Sequence, residues 1–144
     1  MGSCLQKIKL NLSTLENTKD FSLLDYKGNC KVLDVYDGDT ITISFPFYGG
    51  IYKKKLRIYG VDCAEIKTKD EKEKQIGIQA KTYLSELILG KILYIEVYKR
   101  EDKYGRILAT VFVGENTVDK IMIEKGFGYP YFGGKKKKFI EWYN

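Results

Sequence analysis

Three short stretches hold the residues whose types and spacing could do chemistry. Asp37 and Asp39 flank a glycine in DVYDGDTITISF, Arg57, Asp62 and Glu65 stand in RIYGVDCAE, and Asp102 and Arg106 bracket DKYGR. Two carboxylates crowded at the start of an alternating run repel each other unless they share a cation. A guanidinium stays charged and presents a fork that fits two phosphate oxygens, so Arg57 and Arg106 could hold the charge that grows on phosphorus during diester cleavage. The chain contains no histidine, 0 in its 144 residues. Zinc sites built on imidazole and Ser-His or Cys-His nucleophile pairs are thereby excluded. Catalysis must run on carboxylates, Arg, Lys, Tyr or a bound hard metal.

Each stretch alone has an ordinary reading: a solvated Asp-Gly hairpin turn, an acidic surface loop, an arginine after a turn glycine. No basic residue lies between Asp37 and Asp39 or between Asp62 and Glu65, although the chain is rich in lysine. Arg57 and Asp62 pose a geometric problem, because a separation of 5 puts side chains on opposite faces of a regular strand. A bend or bulge at Gly60 would bring both to one site.

The elements that must position these groups follow from periodicity. β-rich runs cover Val32–Tyr36, Thr40–Phe45 and Tyr52–Tyr59, separated by Asp/Gly and Gly-Gly turns. Helical spacing of apolar residues covers Gln75–Leu89, with Gly90 as its stop. Strands are expected again at Ile92–Lys99 and Ile107–Val113, then a short helix from Asn116 or Thr117 to Lys125. Residues 1–30 are expected as a polar, mobile arm, and residues 31–144 as the folded domain. This order predicts a β-rich α+β fold: a five-stranded OB-fold barrel with two main helices and a short C-terminal segment.

Composition narrows the partners. With 25 Lys and Arg against 19 Asp and Glu, the net charge of +6 favours an anionic partner, nucleic acid or an anionic membrane surface. The 3 cysteines are odd in number and widely spaced, so they form no disulfide framework and a reducing compartment is expected. There is no apolar run of transmembrane length and no secretory leader, which predicts an intracellular protein. Gly2 and Cys4 would suit myristoyl and palmitoyl anchoring, though Gln6 stands where that pattern wants Ser or Thr. Membrane association would follow only from such acylation.

The chain resembles the thermonuclease family, the staphylococcal-nuclease-like domains, in its Asp37-Gly-Asp39-Thr40 turn, its Arg57 followed by Asp62-Cys-Ala-Glu65, and its Asp102-Lys103-Tyr104-Gly-Arg106 turn, in that order and over roughly Lys31 to Tyr131. The resemblance implies a calcium-dependent, sugar-nonspecific endonuclease that cleaves DNA and RNA, preferentially single-stranded, to 3′-phosphate ends. It implies Asp39, Asp62 and the Cys63 backbone carbonyl as calcium ligands, with Asp37 and Thr40 just outside the coordination sphere. Arg57, Glu65 and Arg106 would be the catalytic side chains, Glu65 the candidate general base. Lys103, Tyr104, Tyr129 and Tyr131 are expected to touch substrate, the tyrosines by stacking on bases or closing over the phosphate. Cys63 and Ala64 stand where the family often has Thr and Pro, which puts metal affinity in question. Lys135–Lys138 is expected to be a solvated, frayed tail, and the protein a monomer. The rival from another class is a catalytically inactive OB-fold module that only binds single-stranded nucleic acid.

Overall fold

The computed structural model describes residues 3–18, 23–99 and 101–144. Its centre is a barrel of five strands: β1 (Lys27–Val35), β2 (Thr40–Phe47), β3 (Gly50–Ile58), β5 (Ile92–Lys99) and β6 (Arg106–Val113). β4 (Gly60–Cys63) belongs to a separate two-stranded sheet with β8 (Gly128–Tyr131), and β7 is the pair Asn116–Thr117 at the edge of β6. Neighbours run antiparallel in the order β3-β2-β1-β5-β6, and a parallel pairing of β3 with β6 closes the barrel. This is the expected OB-fold. Its interior is filled by alternate residues, among them Val32, Ile41, Ile43, Leu56, Ile58, Ile95, Ile107 and Val111, all essentially without solvent contact.

The closing seam matters for the site. Lys55 pairs with Arg106 and Arg57 with Leu108, while Leu56, Ile58, Ile107 and Ala109 point into the core. By strand alternation Arg57 and Arg106 therefore share the outer face of two neighbouring strands.

Four helices accompany the barrel among the described residues: α1 (Cys4–Asn11), α2 (Glu71–Ile88), α3 (Val118–Glu124) and α4 (Phe139–Trp142). α2 buries Ile76, Ala80, Leu84 and Ile88, the face that the periodicity predicts. It begins four residues earlier than expected from apolar spacing, because its first turn is polar: Asp70 accepts the Glu73 N–H at 3.0 Å, and Glu71 and Glu73 oppose the helix dipole. α3 buries Val118 and Met122. α1 is closed by a Ser3–Gln6 capping box and buries no residue. β1 starts at Lys27 and Leu23 enters the core, so the barrel takes up the end of the stretch expected as an arm. Among the described residues no helix is long and apolar enough to cross a membrane. Of the acylation pair, Cys4 is exposed at the start of α1, and Gly2 lies outside the described residues.

Candidate active site

The expected bend is present at Gly60. β3 ends at Ile58, Tyr59 turns, and Gly60 adopts φ +94° as the chain leaves the barrel for the β4–β8 sheet. A side chain there would be doubly opposed, since a Cβ would lie 2.5 Å from Asp119 Oδ2 and L-residues seldom adopt that φ. Because β3 and β4 no longer share a pleat, the odd separation of Arg57 and Asp62 ceases to matter. Arg57 Nη2 donates to Asp62 Oδ1 at 3.0 Å and lies 3.6 Å from Asp39 Oδ2. Its Nη1 donates to the carbonyls of Ile58 and Val61 at 3.3 and 3.2 Å, so the guanidinium also clamps the corner that presents the acid.

Asp39 arrives from the turn between β1 and β2. Gly38 allows that turn to pack down, because a Cβ on it would lie 2.9 Å from the Cys63 Cβ and 3.0 Å from that of Ala80. The Asp39 N–H donates to Asp37 Oδ1 at 3.1 Å, Asp39 Oδ1 accepts from the Thr40 hydroxyl at 3.2 Å, and Oδ2 accepts the Cys63 N–H at 2.9 Å. The two acidic stretches are thus tied together through the backbone of Cys63. Burial, then the charge of Asp37, pushes the Asp39 carboxyl up to about 6, with Arg57 and the Cys63 N–H opposing. Burial and the surrounding carboxylates also raise the Cys63 thiol, which donates to the Gly38 carbonyl.

Glu65 is exposed, yet partial desolvation of its carboxyl, and then the charge of Asp39, raises that carboxyl, with Lys136 opposing and Asp62 and Glu73 adding to the rise. A carboxylate held up in this way is a better proton acceptor than an ordinary one. The first turn of α2 fixes its backbone: Glu73 accepts the Glu65 N–H at 3.3 Å and the Thr68 hydroxyl at 2.9 Å. Glu65 and Asp37 open together onto a hollow of about 210 Å3.

A larger, open groove of about 1140 Å3 is lined by both Arg57 and Arg106. Arg106 is held by Asp102, which accepts from its Nε at 2.9 Å and its Nη2 at 2.8 Å and also takes the backbone N–H groups of Tyr104 and Arg106. Burial raises the Asp102 carboxyl, but these hydrogen bonds outweigh it and the group sits below its ordinary value. Part of the Arg106 fork, with five N–H donors in all, stays unengaged over the Tyr104 ring. Lys103 and Tyr104 line the same groove.

The structure therefore brings Asp37, Asp39, Thr40, Arg57, Asp62 and Cys63 into one cluster, with Glu65 coupled to it and Arg106, Lys103 and Tyr104 on the adjoining groove. Two expectations need correction. Tyr129, expected to offer a stacking face, is buried at 6% exposure, and its hydroxyl donates to Asp62 Oδ2 at 2.8 Å. The pairing of Asp62 with Tyr129 across β4 and β8, a sheet not anticipated from sequence, is what turns that hydroxyl inward. Burial and then the bond to Asp62 push the phenol up to about 12, so it remains a donor. Tyr131 is half-buried, donates to the Gly134 carbonyl at 2.6 Å, and has the Arg57 guanidinium 5.5 Å from its ring centre.

The second correction concerns Lys135–Lys138, which is not a frayed tail. Lys136 Nζ lies 3.1 Å from Asp62 Oδ1, and the Lys137 N–H donates to the Tyr129 hydroxyl oxygen at 2.8 Å. Lys136 is thus a site residue that sequence reasoning missed. The signal for it was the Gly133-Gly134 pair, which lets the chain turn back over the site before the basic run.

The donor set bears on a metal. Among the described residues no three of His, Cys, Asp and Glu converge closely enough to hold an ion by themselves. Asp39, however, is a buried carboxylate that its protein partners do not fully compensate, as its raised pKa shows. Asp62 is held by three donors, Arg57, Lys136 and Tyr129, of the roughly four that a carboxylate can accept. The prospective ligand atoms are all hard oxygens, and the charges of Asp37 and Asp62 add to the rise of the Asp39 carboxyl. The residues fit a hard divalent cation.

A family model described as staphylococcal nuclease homologue matches residues 55–142. Among curated proteins, the chain is 35% identical over 108 residues to Endonuclease YncB of Bacillus subtilis, covering 73% of this chain and 49% of that one. It is 29% identical over 105 residues to an uncharacterized endonuclease of Haemophilus influenzae, covering 73% of this chain and 53% of that one. It is 28% identical over 112 residues to the thermonuclease of Staphylococcus hyicus, covering 77% of this chain and 64% of that one. The matches span between 27% and 64% of the length of the curated relatives.

Proposed function

The chain belongs to the staphylococcal nuclease homologue family, and from that premise we propose that it is a calcium-dependent phosphodiesterase acting on single-stranded DNA and RNA and leaving 3′-phosphate ends. The observation that carries this reading is the position of Arg57. Its guanidinium touches Asp62, stands beside Asp39, and lines the groove that Arg106 also lines. Acids able to hold a cation thus adjoin guanidiniums able to hold a phosphate.

Asp39, Asp62 and the Cys63 carbonyl are the groups that would hold the metal, which when bound supplies positive charge against the scissile phosphate and lowers the pKa of water. Arg57 and Arg106 bind the phosphate oxygens and stabilise the charge gathered there as the bond to the leaving 5′ oxygen breaks. Arg57 is preset for this, since four contacts on one edge fix its plane. Glu65 accepts the proton of the attacking water, with partial desolvation and neighbouring acids raising its basicity. Tyr129 and Lys136 hold Asp62 in its orientation.

The test is cleavage of a labelled single-stranded oligonucleotide by the purified chain with calcium, with chelator, and with Glu65→Gln. Cleavage in calcium alone, lost with chelator and reduced by orders of magnitude in the variant, is expected. Tight binding with no cleavage in any divalent metal would instead establish a binding module.

A further inference from the structure

We propose that Tyr59, Tyr98 and Phe132 form a base-stacking platform beside the phosphate site, and that this platform selects single strands. The inference rests on the nuclease reading above and adds to it the part of the substrate that this surface takes.

Tyr59 and Tyr98 stack with ring centres 4.3 Å apart and planes 18° from parallel, and Phe132 meets Tyr59 edge-on at 5.4 Å. The three rings come from three separate segments. Tyr59 lies in the corner between β3 and β4, Tyr98 in β5, and Phe132 just after β8. Tyr98 sits where the pairing of β5 with β6 slips between Val97 and Lys99, a bulge that re-aims its side chain out of the ladder. The corner that carries Tyr59 is the one that Arg57 and Gly60 shape for Asp62. The ring cluster and the acid cluster are thus built on the same bend.

Despite this mutual packing, Tyr98 remains 59% exposed and Phe132 67% exposed. All three line the groove that contains Arg57 and Arg106, and Lys99, Lys103 and Lys136 line it too. Exposed aromatic faces between cations, along a groove that ends at a phosphate site, match the two surfaces of a single strand: flat apolar bases and a charged backbone. In a duplex the base faces are covered by their neighbours, so only an unpaired strand can use the rings. Because the rings already pack on one another, ordering them on binding costs little side-chain entropy. Tyr104, 64% exposed on the same groove, has Lys103 and Arg106 against its ring and stays with the phosphate end.

The experiment is fluorescence anisotropy with chelator present, comparing a labelled oligodeoxythymidylate with an abasic strand of equal length and equal charge. The unmodified protein is expected to bind the thymidylate roughly five- to a hundredfold more tightly, the range for one stacked base. Tyr98→Ala combined with Phe132→Ala should bring thymidylate binding down to the abasic level without changing abasic binding, which also reports that the variant is folded. Tyr98→Trp should keep the preference. Equal binding of the two strands by the unmodified protein, or a preference that survives in the double variant, would overturn the platform while leaving the nuclease reading in place. Failure to bind either strand would overturn both.

Discussion

Replacing Gly60 by alanine tests the bend on which the site geometry depends. At φ +94° a residue with a Cβ is strained by roughly 1 to 3 kcal/mol. The new Cβ would also lie 2.5 Å from Asp119 Oδ2 and 3.3 Å from the Asp119 Cβ, so the carboxylate must swing aside, which adds roughly 1 kcal/mol. A total loss of about 2 to 4 kcal/mol is expected for Gly60→Ala in urea denaturation. Gly114→Ala is the control: its φ is +62° and nothing lies within 4 Å of an added Cβ, so it carries backbone strain without overlap. It sits in the turn between β6 and β7 and should lose roughly 1 kcal/mol while keeping its cleavage rate. Gly60→Ala should lose rate by orders of magnitude even under conditions where it is folded, because relaxing the corner moves Asp62 away from Arg57. If Gly60→Ala matched the Gly114→Ala variant in stability and the unmodified chain in rate, the reasoning from the corner would be refuted.

Three further outcomes follow from the same geometry. Folding takes up a proton on Asp39 between its ordinary 3.8 and the raised value of about 6, so this group's stabilising contribution is present at acid pH and lost as pH rises through about 6. In chelator, Asp39→Asn should therefore gain stability over the unmodified chain at pH 8 and little near pH 4, read from urea midpoints; a gain of the opposite sign would contradict the burial argument. Arg57→Lys should abolish most cleavage, because an ammonium cannot reproduce the fork that spans Asp62, the corner carbonyls and phosphate, and steady-state kinetics should show the loss mainly in kcat. Lys136→Met should change stability by less than about 1 kcal/mol, since its side chain is 49% exposed, but should lower the salt dependence of single-strand binding by about 0.7 in the log–log slope.

The barrel was legible in the sequence because strand alternation and helical spacing are local signals, and the five barrel strands and α2 each carry one. Asp39, Arg57, Asp62 and Arg106 were legible as residue types in three ordered motifs. The meeting of Arg57 with Asp62 could be read only through the bend expected at Gly60, since parity along a regular strand opposes it and the positive φ of Gly60 resolves the conflict. β4 and β8 escaped notice for a related reason: four-residue strands containing Gly and Pro have no periodicity to read. The inward turn of Tyr129 and the contact of Lys136 with Asp62 both depend on that small sheet and on the loop that follows it. The basic run looked like solvated tail because lysines on a glycine-rich segment usually are.

The most direct measurement is a rate comparison on one single-stranded oligonucleotide, with calcium and with chelator, for the unmodified chain and for Glu65→Gln. Hydrolysis to 3′-phosphate ends that requires calcium and falls by orders of magnitude in the variant is the predicted result. Cleavage that persists in chelator, or that is indifferent to Glu65, would contradict the assignment of this cluster as the catalytic centre.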